Sequence, residues 1–444
     1  MDVVAADTLA AAVGARTAVG IAADLEVLIG DGTIPAGSRL PTIRDLAAAF
    51  GVSVGTVADA WGALRERGLV ETRRRGGTHV VAPDASEFPG WASLDLLLAS
   101  PDQALQPRMD GAIVQAMRAR GVNAWGREQM VEPLRAAIAP RWPFAAEAWM
   151  TAGGGTEGLW LATVAAIEPG RPIAVEEPAP PGYLASLADL GVEVIGIPVD
   201  DDGPVPDALR AALDAGAAAF VHQPGGPFST RHALSEARVD ALVAVLDGGD
   251  ASIVEDDSLG PLSAVPVRTL GAALPHRTIR VLAFCRAYGL DLRTSVLGGA
   301  AHLVERAVRA RSGGLASNSR ILQHALAALL VDQDAVGVVD RARIRYGARV
   351  SLASAAMRAA GLRVEVGPGS HVLWVEVPDE SAAAIALSRR GVVVDVGATS
   401  FVTPQATQRL RISAAQLPED EALLAELADL VARAASGALR VAFA

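Results

Sequence analysis

Lysine is missing from this chain: all 39 basic side chains among its 444 residues are arginine. A guanidinium stays protonated in proteins, so no side-chain Schiff base can form anywhere on the molecule. GC-rich coding favours arginine and would produce the same composition, but the chemical consequence is identical. Cysteine is nearly missing too. The single Cys285 excludes an intrachain disulfide and any multi-cysteine metal site, which suits a reducing, cytoplasmic setting. The N-terminus has no basic stretch ahead of an apolar core, and Asp24 and Glu26 interrupt the next apolar run. Neither a signal peptide nor a membrane span is expected. His222, His232 and His371 are scattered without metal-ligand spacing, so no metal site is expected either.

What is present is ample apolar material. At 51% hydrophobic and 20% charged, the chain can bury a large core, and its length calls for at least two domains. The net charge of -11 is unevenly spread. Residues 34–82 carry 7 Arg against 4 acids, whereas residues 84–444 carry 31 Arg against 41 acids. A small, locally basic module is attached to a large acidic body.

In the module, Ile21, Leu25, Leu28 and Ile29 share one helical face, ended by Gly30-Asp31-Gly32. Thr42 can cap a second helix with the stripe Ile43, Leu46, Ala47 and Phe50, which Gly51 breaks. Ser53 caps a third, in which Val57, Ala58, Trp61 and Leu64 face inward and Gly55, Thr56 and Asp59 outward. Two short helices around a tight glycine turn make a helix-turn-helix. Strand-like Leu69–Thr72 and Thr78–Val81 then flank Arg73-Arg74-Arg75-Gly76-Gly77, a basic hairpin that reads as a wing.

From Arg39 to Val81 the order, spacing and turn residues resemble the GntR-type winged helix. The resemblance implies that Arg44, Ser53 and Thr56 approach phosphates or base edges of double-stranded operator DNA. Arg73, Arg74, Arg75 and Gly77 would follow the backbone or minor groove. Val54 departs from the polar residue common after the capping Ser, so a major-groove contact there is either missing or apolar, as to a thymine methyl. The structural alternatives are that Arg44 pairs with Asp45 or Glu66 and that the wing arginines form a solvated face.

The body begins after a linker-like stretch, residues 83–100, with Pro83, Pro89 and Gly90. Strand-like runs Ile173–Val175, Val192–Ile197, Ala218–Val221, Ser252–Val254 and Ile279–Phe284 alternate with helical stretches, which predicts a mainly parallel sheet covered on both faces. A long helix over 336–360 leads to a smaller region with strands near 372–377 and 392–394. Thr151–Gly158, Val175–Pro178, Ile253–Asp257 and Leu410-Arg411-Ile412 recur in the order of a type I aminotransferase. The whole chain thus resembles a MocR-like regulator of the GntR superfamily. The implied fold is multidomain: an N-terminal winged helix-turn-helix (α+β, mostly α) over 10–82, a linker over 83–100, and an α/β aminotransferase-like body. That body divides into a large subdomain, 101–334, and a C-terminal small subdomain, 335–444.

A pyridoxal phosphate site needs an aldimine lysine, a ring-stacking aromatic, a carboxylate at the pyridine nitrogen and a phosphate cup. In the corresponding segment, Cys285–Arg293, the lysine position holds Arg286. Pro180 stands where the stacking Tyr is usual, with Tyr183 nearby; Ser258 replaces a ring-contacting Tyr and Gly226 the usual Asn. Asp256 and Arg293 persist, as does a glycine turn at Gly155-Thr156 whose N–H groups suit an anion. The competing reading has Glu157 filling that helix terminus and repelling phosphate. Asp256 is expected as a buried acid paired with an arginine. Arg293 is equally an ion-pair or an anion-binding residue, and Cys285 a small buried one.

The expected function is DNA-binding transcriptional regulation by a cytoplasmic homodimer, with no enzyme activity, cofactor or membrane partner. The degenerate body would serve dimerisation and sensing of an anionic small molecule through Arg411, Arg286, Asp256, Arg293, Gly155 and Thr156. Arg411 matches the position at which the fold grips a substrate carboxylate. The alternatives are a transferase or lyase working without an internal aldimine, and a ligand-free assembly scaffold in which Asp256 neutralises Arg286.

Overall fold

The computed structural model describes residues 4–439 apart from 31–32, 36, 67–68, 74–76, 81–93, 98–99, 125, 127, 181, 312 and 314–316. It divides into two compact units, the first centred on residues 1–93 and the second on the remainder. Arg74, Arg75 and the side chain of Arg73 lie outside what is described, as does most of the expected linker.

The first unit is built from helices α1 (Ala6–Ala12), α2 (Ala18–Gly30), α3 (Ile43–Phe50) and α4 (Val54–Glu66) and strands β1 (Val70–Arg73) and β2 (Gly77–Val80). Local chemistry sets each boundary. Thr42 Oγ1 accepts the Asp45 N–H at 3.2 Å and starts α3, and Gly51, at φ 67, ends it in a left-handed turn that favours glycine. Ser53 Oγ accepts the Thr56 N–H at 3.0 Å and starts α4. β1 and β2 pair antiparallel from Val70↔Val80 to Arg73↔Gly77. Leu25, Leu46, Phe50, Val57, Trp61 and Leu64 close over one core, to which α1 adds Leu9. This first helix was not anticipated, because its alanine-rich stretch has too few large apolar residues to show a face.

In the body a seven-stranded sheet runs in the order Ala148–Ala152, Ser295–Gly299, Thr278–Ala283, Ser252–Asp257, Ala219–His222, Ile173–Glu176, Val194–Ile197. All neighbours are parallel except around Ser295–Gly299, which is antiparallel to both of its partners. Successive side chains on a strand point to opposite faces. Ile173, Val175, Val221, Val254 and Val281 accordingly enter one core, packed with the helices Gly155–Ala166 and Ala301–Ala310, whereas Ala174, Phe220 and Ile253 enter another. Both faces are covered, as expected for a parallel sheet.

The 27-residue helix Gln333–Ala359 leads to an antiparallel sheet ordered Val364–Glu365, Val372–Glu376, Arg409–Ser413, Asp395–Val396. The linker expectation needs correcting at its end. Leu94–Asp95 pairs in parallel with Val392–Val393, Leu96 is fully buried, and its N–H donates to the Val393 carbonyl at 2.8 Å. Residues 94–96 are therefore part of the body, held by strand pairing to residues far along the chain that no local pattern reveals. Among the described residues no single helix is long and apolar enough to cross a membrane.

Trp61 is wholly buried in the first unit's core. Trp61→Ala should cost about 3–5 kcal/mol. Calorimetry should show the winged-helix transition moved to lower temperature with the body's transition in place; an equal shift of both would contradict separate cores.

Candidate functional site

The helix-turn-helix presents its sequence-predicted residues outward. Val54 is half exposed, Ser53 is exposed, and Thr56 Oγ1 lies 2.8 Å from Ser53 Oγ at the start of α4. Arg44 is exposed and makes no ion pair with Asp45, whose carboxylate instead accepts the Thr42 hydroxyl at 2.6 Å. Gly77, at φ 85, takes a left-handed conformation that favours glycine, and a Cβ there would sit 2.8 Å from Arg39 Nε. Arg39 thus lies over the wing, bridged to His79. The sequence reading passed over it, although its position just before the first cap places it opposite the hairpin.

The second constellation gathers at the carboxyl ends of the body strands, where ligands of open α/β sheets bind. Asp256 is buried at the end of Ser252–Asp257, and neither carboxylate oxygen has a hydrogen-bond partner. The expected arginine pairing is not made. Arg286 is near enough for its charge to act on Asp256, but no ion pair closes between them; Arg286 Nη1 instead donates to the Ser258 carbonyl at 3.5 Å. Burial and the adjacent Asp257 push the Asp256 carboxyl up to about 7, against the pull of Arg286.

Arg411 occupies the middle of the small sheet, in register with Trp374 on one side and Asp395 on the other. Its Nη2 is paired with the Asp395 carboxylate, while Nε and Nη1, although the residue is 1% exposed, meet no acceptor. The Arg286 and Arg411 guanidiniums lie 5.8 and 5.9 Å from the ring centroid of the same Phe228. Phe228 is fixed in turn because Trp374 Nε1 donates to its carbonyl at 2.9 Å. Burial lowers the pKa of both arginines, against the pull of Asp256 on Arg286 and of Asp395 on Arg411. Burial, reinforced by Arg286, takes His371 down to about 3.

The glycine turn is occupied from within. The Gly153 N–H donates to the Glu157 carboxylate, which also pairs with Arg311 Nε at 3.1 Å. Gly155 and Thr156 open the helix behind this closed cup. Arg293 is exposed, in a left-handed turn at φ 41, and forms no ion pair among the described residues. Tyr183, three residues after Pro180, is buried with its hydroxyl 2.7 Å from Thr163 Oγ1. A side chain at Gly226, φ 54, would place its Cβ 3.2 Å from Ser229 and 3.3 Å from the His232 carbonyl.

One arrangement went unread in the sequence. Ser229 Oγ lies 2.7 Å from His232 Nδ1, and His232 Nε2 lies 3.3 Å from Glu176 Oε1. The order resembles a nucleophile, base and acid. All three residues are buried, however, and Ser229 Oγ already accepts the N–H groups of Arg231 and His232. That hydroxyl closes a turn.

Since Asp256 is raised on folding, the folded chain binds the extra proton between pH ~4 and ~7, and this residue's share of stability falls as pH rises through that window. His371, held neutral, works in the opposite sense below its ordinary value. Denaturant unfolding of the wild type minus Asp256→Asn isolates the first effect. That difference should fall from pH ~4 to pH ~7, by on the order of 4 kcal/mol in all, and stay level above; a flat difference would contradict a raised Asp256.

Residues 17–80 match the family described as "Bacterial regulatory proteins, gntR family", and residues 259–428 match "Aminotransferase class I and II". The chain is 27% identical over 402 residues to the vitamin B6 salvage pathway transcriptional repressor PtsJ of Salmonella typhimurium, covering 88% of this chain and 92% of that one. It is 28% identical over 430 residues to the HTH-type transcriptional regulator TauR of Rhodobacter capsulatus, covering 82% and 85%. In fold it is similar to the aspartate aminotransferase of Thermus thermophilus with maleate, at a TM-score of 0.67 and 21% identity over 77% of this chain and 91% of that one. The chain therefore joins a GntR-type helix-turn-helix domain to a type I aminotransferase fold and is homologous to regulators of the PtsJ and TauR kind.

Proposed function

We propose that this chain is a transcriptional regulator that binds double-stranded operator DNA as a homodimer, and that its body performs no pyridoxal chemistry but senses a small anion. The observation that carries the first part is the capped helix α4, which turns Ser53, Val54 and Thr56 outward beside an exposed Arg44 with no ion pair among the described residues. Full-length relatives named as transcriptional regulators support it. A lone winged helix buries little surface, so two copies on two half-sites give the selectivity a regulator needs.

PtsJ carries vitamin B6 salvage in its name. In this chain the residues do not fit pyridoxal phosphate. Arg286 stands at the aldimine position, Glu157 takes the Gly153 N–H of the phosphate cup, Tyr183 is bonded to Thr163, and Gly226 replaces the usual Asn in a tightly packed left-handed turn. The same space favours an anion. Arg411 keeps two guanidinium N–H groups, at Nε and Nη1, without acceptors; each can make a charge-assisted bond to an anion, and Arg286 adds a second positive charge. Arg293, Gly155 and Thr156 surround the closed cup, so sensing rests on Arg411, Arg286 and Asp256.

Binding of operator duplex should weaken with salt by roughly 0.9 log units per log unit for each phosphate contact. Arg74→Ala should reduce affinity for all sequences alike, while Thr56→Ala should lose discrimination worth about 1–3 kcal/mol. Equal losses on operator and random duplex for both variants, measured by fluorescence anisotropy, would contradict that division of roles.

Incubation with pyridoxal phosphate should give no visible aldimine band and no pyridoxyl group fixed by borohydride. In a thermal-shift screen of aliphatic metabolites, carboxylates should raise the melting temperature of the wild type and not of Arg411→Ala. An aliphatic carboxylate that stabilises both equally would remove Arg411 from the site.

A further inference from the structure

A second cavity, of about 510 Å³, lies beside the strand Ser252–Asp257 and is lined by Asp257 rather than Asp256. Because neighbouring residues of a strand face opposite ways, this cavity is separate from the space shared by Asp256, Arg286 and Arg411. Asp257 brings no free charge to it, since its carboxylate is held by Arg280 Nη2 at 2.7 Å. The lining is largely apolar, with Phe284, Leu330 and Val339 prominent. Its polar groups come from Arg141, Trp142 and Tyr288, beside two arginine–aspartate pairs, Arg280 with Asp257 and Arg343 with Asp340.

Trp142 is gripped on several sides. The Arg280 guanidinium lies 6.0 Å from its ring centroid, and Trp149 and Phe144 meet it edge-on at 4.8 and 6.2 Å. Gly298 makes that packing possible, because a Cβ there would be 2.7 Å from Trp149 and 3.0 Å from Trp142. The fixed indole carries a buried Nε1–H with no acceptor, and an indole nitrogen only donates. The Tyr288 hydroxyl has no hydrogen-bond partner among the described residues and stays protonated, because burial raises its pKa amid the charges of Arg141, Asp340 and Arg343. Of these charges, Arg343 and Asp340 bind each other at 2.7 Å. Arg141 is exposed at the mouth and has no acidic partner among the described residues.

The cavity thus joins an apolar body to three hydrogen-bond donors, one of them an unpaired cation, and to no free carboxylate. Its volume is in the range of small-molecule sites, about 300–1,000 Å³. We propose that it binds an aromatic carboxylate, with the ring between Phe284, Leu330 and Val339 and the acid group toward Arg141 and the Tyr288 hydroxyl. An acceptor on the same molecule would meet the Trp142 N–H. This site is independent of the anion site at Arg411, and either can exist without the other.

The test is calorimetric titration of the full chain with 2-naphthoate, with 2-naphthylmethanol as its uncharged counterpart. The acid should bind at one site per chain, and Arg141→Gln should weaken it about tenfold, the loss of one charge-assisted bond. Tyr288→Phe and Trp142→Phe, which keep the rings, should each weaken it severalfold, while Arg411→Ala should leave it unchanged. No binding at millimolar acid, equal binding of acid and alcohol, or indifference to Arg141→Gln would overturn the proposal. So would loss of binding in Arg411→Ala, which would send the probe to the other arginine site. Binding that disappears as the chain self-associates in light scattering would assign the cavity to a second copy and overturn it as well.

Discussion

The strand Ser252–Asp257 carries three acids in a row, and the alternation of a strand forces them apart. Glu255 and Asp257 turn to one face, where Arg280 bonds both, at 2.9 and 2.7 Å. Burial alone would raise Glu255, yet His222, Arg280 and Thr269 hold it at about 2. Asp256 turns to the other face with no bonded partner and is pushed to about 7 by burial and by Asp257 behind it. One face is therefore electrostatically closed and the other is left open. The short helix Cys285–Tyr288 repeats the division, directing Arg286 toward Asp256 and Tyr288 toward the second cavity.

An open face of this kind is costly to maintain. A buried donor without an acceptor forfeits about 1–3 kcal/mol, and Arg411 has two such groups. Asp395 satisfies only one end of that guanidinium, and Arg286 repels it across Phe228. A purely structural arginine would be better placed with both ends bonded, as Arg349 is: Asp102, Glu419 and the Ala415 carbonyl all accept from it. The contrast within one chain separates an arginine that holds the fold from two whose charge is left to do something else. It also weighs against the scaffold reading, which requires Asp256 to close on Arg286.

The parts of this architecture that could be read from the sequence are those whose cause is local. Thr42, Gly51 and Ser53 act within four residues of themselves, so the helix-turn-helix and its boundaries were visible, as was the reach of Glu157 back to Gly153. The body strands were visible because a doubly covered sheet needs continuous apolar runs. What escaped depends on distant partners. Leu94–Asp95 has too few residues to show a period and becomes a strand only against Val392–Val393. The unpaired state of Asp256 depends on ångström distances to Arg286, and the line of Ser229, His232 and Glu176 joins segments that carry no shared motif.

The departures from a pyridoxal site are also coupled in space, which is why they read as one change of use. With Glu157 in the cup, a phosphate would meet a carboxylate already bonded to the Gly153 N–H and to Arg311, and would have to displace both bonds. With Gly226 pressed by Ser229 and the His232 carbonyl, restoring a larger residue means moving the turn that Ser229 closes and Gly367 packs against. That turn also supplies Phe228, the ring under both arginines. A lysine placed at position 286 would therefore enter a site whose phosphate contacts and ring-facing turn are organised around the arginine pair. The positive charge is kept in this arrangement and the nucleophile is given up, which supports the proposal of a site that holds an anion without transforming it.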